Sequence, residues 1–484
     1  MIVNRIEKTD ISTAMSECMI TYAVASTVRF IPNVIDGLKP VQRRLLYSMY
    51  IHDNGNFQKC VNIIGRASEF IETGDAGSYQ ALIYMGQADR HIHPLIISQG
   101  NYGCIIDALD GFAAARYTEG KLSDYARDWY LTEDLKYTLW KDNYIETTKE
   151  PIVLPTLLPM GLVQGSKSVA YGSQNSVLPL DLKSVAKSYI IFLNKYKKKK
   201  HMTAKDEEEI IKPLKFKFAN NCKVLRHSKN LFTNGYGTVT MCGEYNITTG
   251  DYGKSEVNIT KLPYLVEIPK FMDKIKSYPN SIKSMISDIR DESSKEGVHI
   301  VVTLKRGVSP SALVEYITLD NNGFGKTTGI VETRSQKYNY FSHITNKSRD
   351  YPVIEIYQEH IDYKLSVLDR YFTSTIMDLE HKLKYLEALL YIISDKKRLD
   401  DFYMVIRKSD RDTLGSNLHK KFKNIEENIL LYIADKKFTV MLKNNEDIKN
   451  QIKDLKTKIE RFSYYNKHKI DYIIEQIETK LKKY

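Results

Sequence analysis

The chain has 484 residues, enough for about three domains, each with its own core. Its composition, 42% hydrophobic and 27% charged, excludes a disordered or fibrous protein. A formal net charge of +12 fits a polyanion partner such as DNA or RNA, but ribosome binders and basic soluble enzymes share that bias. The five cysteines (Cys18, Cys60, Cys104, Cys222 and Cys242) are odd in number and form no CxxC. That argues against a disulfide frame or a zinc site and for reduced thiols in a cytoplasmic setting. The N-terminus lacks a basic-then-apolar signal pattern, and no apolar run approaches the ~20 residues that span a bilayer, so no membrane is expected.

In chain order, Ala14 to Val28 predicts an apolar helix. Pro32 stops it, because the residue before a proline is pushed out of helical geometry. Asp36-Gly37-Leu38-Lys39-Pro40 predicts a turn, with backbone freedom at Gly37 and a helix opened by Pro40. That helix offers Val41, Leu45, Leu46 and Met49 to a core. Lys39, Arg43 and Arg44 cluster at its start, where the helix dipole also favours anions, so they are expected to neutralise phosphates. Residues 65–89 read as a second helical unit: Gly74-Asp75 as turn and N-cap, then a helix over 76–88. Two helices joined by a turn, one of them basic, fit a winged-helix, CAP-like DNA reader.

Gln99-Gly100-Asn101-Tyr102-Gly103 predicts a loop in which the glycines allow close approach and Gln99 and Asn101 offer amides to phosphates. Ala113-Ala114-Ala115-Arg116-Tyr117-Thr118-Glu119 follows. An Arg-Tyr pair means little by itself in a chain with 34 tyrosines; its flanks give it weight. From Pro151 the pattern turns β-rich, then reaches Gly165-Ser166-Lys167-Ser168-Val169-Ala170-Tyr171-Gly172. The lysine run 195–200 and acidic run 206–209 read as a solvated face, and 232–268 as strands. After Pro352, apolar residues recur at steps of three, four and seven for about forty residues. A second such run spans Ile448 to Leu481. Two such helices can pair as an antiparallel coiled coil, here with a helical cap over about 399–441 between them.

Residues 36–44, 99–103 and 113–119, in this order and at these gaps, resemble the breakage-reunion subunit of the type IIA DNA topoisomerases: gyrase A, topoisomerase IV A and their relatives, with the phage members looking closest. The resemblance covers nearly the whole chain and is most specific in about 29–44, 99–119 and 164–172. It implies an α+β multidomain fold. An N-terminal helical segment (1–30) would be followed by a winged-helix DNA-gate domain with the catalytic tyrosine (31–155), a β-rich tower domain (156–345), and a coiled coil with a dimerisation cap (346–484).

A phenol titrates near ~10 and attacks a phosphodiester only with help for its proton and for the charge that develops on phosphorus. The resemblance makes Tyr117 the nucleophile and a transient 5′-phosphotyrosine link the intermediate, with Arg116 placed to stabilise the charge. Arg29 matches an arginine that contributes to the active site. Val169 stands where the family inserts an isoleucine between base pairs to bend the duplex. Relatives carry one or two histidines before the Gly-Asp; here the segment is Phe70-Ile71-Glu72-Thr73-Gly74-Asp75, with Thr73 or Glu72 as the substitute. His91 and His93 read as surface residues. Ala76 and Gln80 replace the usual drug-contact serine and acid, which implies weak quinolone sensitivity.

The sequence has no Asp-x-Asp pair beside a glutamate loop and no P-loop. The resemblance therefore assigns Mg2+ and ATP to a B-type partner subunit, with this chain as a homodimer on double-stranded DNA in an A2B2 assembly. The chain's end after the coiled coil, without gyrase's wrapping domain, is expected to favour relaxation and decatenation. Two alternatives stay open: a tyrosine recombinase, and a non-catalytic DNA-binding dimer derived from the same family.

Overall fold

The computed structural model of the chain describes residues 10–72, 74–104, 111–250, 253–294, 297–319, 329–410, 412–435 and 445–484. It is mixed α and β and forms two compact units, residues 1–364 with 476–484, and residues 365–475. Among the described residues no helix is long and apolar enough to cross a membrane, and none of the five cysteines forms a disulfide.

The first unit opens with helix α1 (Ile11–Phe30), capped by the Asp10 carboxylate, which accepts from the Ser12 amide. It stops one residue before Ile31-Pro32, as the proline requires. Its apolar side chains are mostly unburied: Ile11, Met15, Ile20, Tyr22 and Val24 are each more than half exposed. Helix α2 (Pro40–Ile51) follows the expected turn and buries Leu45, Leu46 and Met49. Gly37 has φ +68°, and a Cβ there would lie 2.2 Å from the Cα of Gly161, so both backbone freedom and bare backbone are needed.

Strand β1 (Gln58–Lys59) leads into helix α3 (Cys60–Ala67), which is followed by helix α4 (Asp75–Gly86). Gly74 is the N-cap of α4, and the helix ends two residues earlier than the sequence pattern implied, because Gln87 is extended. Strands β2 (Ile96–Gln99) and β3 (Glu119–Leu122) complete a small antiparallel sheet of order β1–β3–β2. Glu119 lies opposite both Gln99 and Lys59, so the chain leaves and re-enters this sheet at one end.

Beyond it, a hairpin (Trp140–Asp142 with Lys149–Pro151) and a short helix (Met160–Gln164) lead to the hairpin Ser166–Ala170 with Ser173–Val177. That hairpin joins Val331–Lys337, Tyr236–Cys242 and Lys223–His227 in a five-stranded sheet. A separate four-stranded sheet (Glu244–Thr249, Ser255–Lys261, Ile300–Leu304, Ile286–Asp291) packs Val257, Ile259, Ile300 and Val302 against Phe271, Ile275, Leu313 and Ile317. The lysine and acidic runs answer each other locally: Lys195 lies 3.0 Å from Asp206, and Lys195 and Lys199 also pair with Glu209 and Asp206.

Helix Val353–Ile393 starts in the first unit and runs into the second. Within the second unit it pairs antiparallel with Asn445–Lys467 and the start of Lys469–Leu481. The direction is fixed by Glu387–Lys456 (2.8 Å), the edge-to-face rings of Tyr371 and Phe462, and Asp369–Lys469 (2.7 Å). Between the long helices, Lys396–Lys408, Leu414–Lys421 and Glu427–Asp435 enclose Phe402, Leu418, Ile429, Leu430 and Ile433. The end of the expected cap, 436–441, lies outside the described residues.

Candidate active site: a pinned loop carrying Tyr117

Tyr117 lies two residues before the central strand β3, in a tight turn closed by its own amide on the Ala114 carbonyl (2.8 Å). Its side chain is 71% exposed. The Arg116 guanidinium lies 5.8 Å from the Tyr117 ring centroid and is also exposed. The backbone on either side, by contrast, is tied down. The amides of Cys60 and Val61 at the start of α3 donate to the carbonyls of Thr118 (2.9 Å) and Ala115 (3.2 Å). The Tyr102 hydroxyl donates to the Glu119 carbonyl (3.0 Å), and the Tyr79 hydroxyl donates to the Ala113 carbonyl. Tyr79 also bonds the fully buried Thr118 hydroxyl at 2.7 Å. Burial pushes the phenols of Tyr79 and Tyr102 and the Cys60 thiol up, which keeps all three protonated as hydrogen-bonding groups.

The glycine loop packs against this turn. Gly100 has φ +90°, and a Cβ there would lie 2.9 Å from the Tyr117 carbonyl oxygen. Gln99 and Asn101 are exposed. Asn101 also holds the loop: its Oδ1 accepts from the Gly103 amide (2.7 Å), and its carbonyl accepts from the Ala113 amide (3.0 Å). Thus the structure brings Gln99, Asn101, Arg116 and Tyr117 to one end of the small sheet.

Other expected site residues fall elsewhere. Arg43 is engaged within the chain. It is 6% exposed, and its Nε and Nη2 donate to Asp36 at 2.6 and 2.9 Å, with a third bond to the Leu38 carbonyl (3.0 Å). Asp36 also accepts from the amides of Leu38 and Leu154, both at 3.0 Å. Arg44 is likewise engaged, bidentate on the buried Glu150 at 2.6 and 2.9 Å, with Lys141 on the same carboxylate. The acids that claim these arginines are Asp36, seven residues before Arg43, and Glu150, more than a hundred residues after Arg44; the local basic pattern does not disclose them.

Lys39 is half-buried, with its ammonium 3.4 Å from the Lys167 carbonyl, and burial lowers its pKa. Val169 lies on the exposed hairpin beyond that contact and is 68% exposed, so it does not pack in the sheet. Arg29, in the last turn of α1, lies 5.2 Å from the ring of its neighbour Phe30 and is exposed. Thr73 lies outside the described residues; Glu72 is exposed.

His91 and His93 are half-buried rather than surface residues. They line a crevice with Arg90, Tyr125 and Gln164, and His93 stacks on Tyr125 with centroids 4.8 Å apart. Burial, then the Arg90 charge, lowers His91 to about 4. Sequence reasoning missed Tyr79, Tyr102, Cys60 and Thr118 as supports of the tyrosine loop. A signal existed for one of them: Tyr79 falls on the apolar stripe of α4 with Leu82, Ile83 and Gly86, where a phenol needs a partner for its hydroxyl.

Among the described residues no group of three or more His, Cys, Asp or Glu side chains could hold a metal ion. The groups beside Tyr117 are a guanidinium, amides and backbone carbonyls, a donor set that does not suit Mg2+.

The model of the DNA gyrase/topoisomerase IV A-subunit family matches residues 29–478, and the chain belongs to this family. It is 27% identical over 418 residues to the A subunit of DNA topoisomerase 4 from Rickettsia conorii, covering 84% of this chain and 54% of that protein. It is 27% identical over 435 residues to the DNA gyrase A subunit of Borreliella burgdorferi (87% and 51%), and 32% identical over 313 residues to that of Borrelia hermsii (63% and 38%). The chain thus spans about half the length, or less, of these relatives.

Proposed function

We propose that this chain is the DNA-cleaving and rejoining subunit of a type IIA topoisomerase. One observation carries the reading: Tyr117 projects from a backbone that is held on both sides, beside the Arg116 guanidinium. In this reading the Tyr117 oxygen gives up its proton to water, attacks a phosphodiester and forms a 5′-phosphotyrosine bond, as the P–O bond to the 3′ oxygen breaks and that oxygen takes a proton from water to leave as a hydroxyl. Arg116 stabilises the charge that builds on the phosphoryl oxygens. The link keeps the energy of the broken phosphodiester, so the 3′ oxygen can attack back and reseal. Gln99 and Asn101 place the DNA backbone by contacts to phosphate, and Arg29, exposed at the end of α1, is assigned to the same site on the family resemblance. Val169 wedges between base pairs, as its exposure on a hairpin tip allows. Lys39 supports that hairpin through Lys167. Arg43 and Arg44 are left out, because carboxylates already hold them.

The helices and sheet around Tyr117 would serve as a winged-helix DNA gate, the two larger sheets as the tower, and the antiparallel helices with their cap as coiled coil and second gate. A two-fold dimer sets two tyrosines on opposite strands. A B-type partner, giving A2B2, would supply ATP hydrolysis and hold the Mg2+ that would provide Lewis-acid help to the leaving oxygen.

The test uses the chain, a B-type subunit, Mg2+ and plasmid, denatured in mid-reaction and then digested with nuclease. A nucleotide retained on Tyr117, absent in Tyr117→Phe although DNA binding persists, supports the proposal. A mixture that binds DNA but never labels residue 117 overturns it and favours the non-catalytic dimer.

A further inference from the structure

Helix α4 has two faces with different duties. Ala76, Gly77 and Gln80 are exposed, whereas Ser78, Tyr79, Leu82 and Ile83 are buried. Tyr79 is 8% exposed, and its ring makes an edge-to-face contact with Phe112 at 5.3 Å. Its hydroxyl reaches two points that bracket the nucleophile in the chain: the Ala113 carbonyl, four residues before Tyr117, and the Thr118 hydroxyl, one residue after it. The bond directions are consistent. The phenol's one proton goes to the carbonyl, which cannot donate, and the phenol oxygen accepts from threonine. Thr118 is fully buried, so its hydroxyl has no water to fall back on.

We propose that Tyr79 is a positioning residue for Tyr117: its hydroxyl clamps the two sides of the nucleophile's turn to α4, so that the phenol of Tyr117 is held at attacking geometry. The proposal rests on the reading of Tyr117 as nucleophile and adds a residue that touches neither DNA nor the reacting atoms. The amides of Cys60 and Val61 fix the height of the turn against α3. They act on its carbonyls, and the Ala113 amide is held by the Asn101 carbonyl; Tyr79 is the side chain that joins residues 113 and 118 through one hydroxyl. A shift of the order of 1 Å in a reacting group lowers a rate by up to ~100-fold.

Three variants test this in the complex of chain, B-type subunit, Mg2+ and a duplex oligonucleotide, by rapid-quench cleavage and resealing. Tyr79→Phe keeps the ring and removes both bonds; Thr118→Val keeps the shape and removes only the bond to residue 118; Thr118→Ser restores a hydroxyl. The expected result is that Tyr79→Phe and Thr118→Val each slow cleavage and resealing alike, Tyr79→Phe by ~10-fold or more and Thr118→Val by no more than Tyr79→Phe, since it keeps the bond to the Ala113 carbonyl. The fraction cleaved at equilibrium, DNA affinity and salt dependence stay unchanged. Thr118→Ser recovers most of the rate, and the double variant Tyr79→Phe/Thr118→Val is no slower than Tyr79→Phe, because the bond that Thr118→Val removes is already among the two lost in Tyr79→Phe.

A purely structural role gives a different pattern: a reduced cleaved fraction in proportion to misfolded protein, at an unchanged rate. That pattern, or wild-type rates in Tyr79→Phe, overturns the proposal. A wild-type mixture with no covalent product overturns instead the nucleophile reading, and the clamp's catalytic meaning with it.

Discussion

Asp36→Ala is expected to destabilise the first unit severely although it lies in a turn. In the fold Asp36 is fully buried and accepts four bonds: two from Arg43 and one each from the amides of Leu38 and Leu154. Truncating it leaves a guanidinium at 6% exposure with only the Leu38 carbonyl, and leaves two buried N–H groups without acceptors. Removing one partner of a buried ion pair costs on the order of 3–5 kcal/mol, because the other charge stays desolvated. The orphaned amides push the value to the upper end of that range. Arg43→Met costs less, since Asp36 keeps both backbone donors.

The double variant costs less than the sum of the two singles by ~1 kcal/mol or more, since no unpaired charge remains. Urea denaturation followed by tryptophan fluorescence measures this directly: Trp129 and Trp140, the chain's two tryptophans, both lie in the first unit. The same preparations report on DNA. Removing one cation that neutralises a phosphate lowers the slope of log affinity against log salt by ~0.9. Arg43→Met is expected to leave that slope alone. A slope shallower by about one unit, with stability changed by less than ~1 kcal/mol, would refute the structural role assigned to this pair.

Val169→Ala is expected to straighten bound DNA, read as a longer end-to-end distance by fluorescence energy transfer, with stability within ~0.5 kcal/mol of wild type, because the side chain is 68% exposed. An unchanged bend would remove the wedge from the account. His360, between Thr156 and Tyr189, is fully buried, and burial followed by the Lys364 charge lowers it to about 3. An ordinary histidine protonates at 6.5, so between these values the unfolded chain holds the extra proton and stability falls as pH drops. The contribution is up to ~1.4 kcal/mol per pH unit in that window and nil above it. His360→Gln is expected to flatten the urea midpoint against pH between about 6.5 and 4; an equally steep profile would contradict a neutral buried ring.

Much of this molecule is written locally in its sequence. Pro32 ends α1, Gly37 and Pro40 shape the turn into α2, and the apolar spacing after Pro352 produces a 41-residue helix, each because a single residue type or a short period restricts the backbone. The Arg116-Tyr117 turn and the glycine loop before it were legible for the same reason. Charge was not. The basic start of α2 reads as a phosphate site, yet Arg43 and Arg44 belong to Asp36 and Glu150, the latter 106 residues away in the chain. Nor did spacing disclose that Tyr79, Tyr102 and Cys60 support the turn carrying Tyr117. A hydrogen bond between residues 39 positions apart leaves no periodic trace, and only the packing of α3 and α4 on the sheet decides which buried hydroxyl meets which carbonyl.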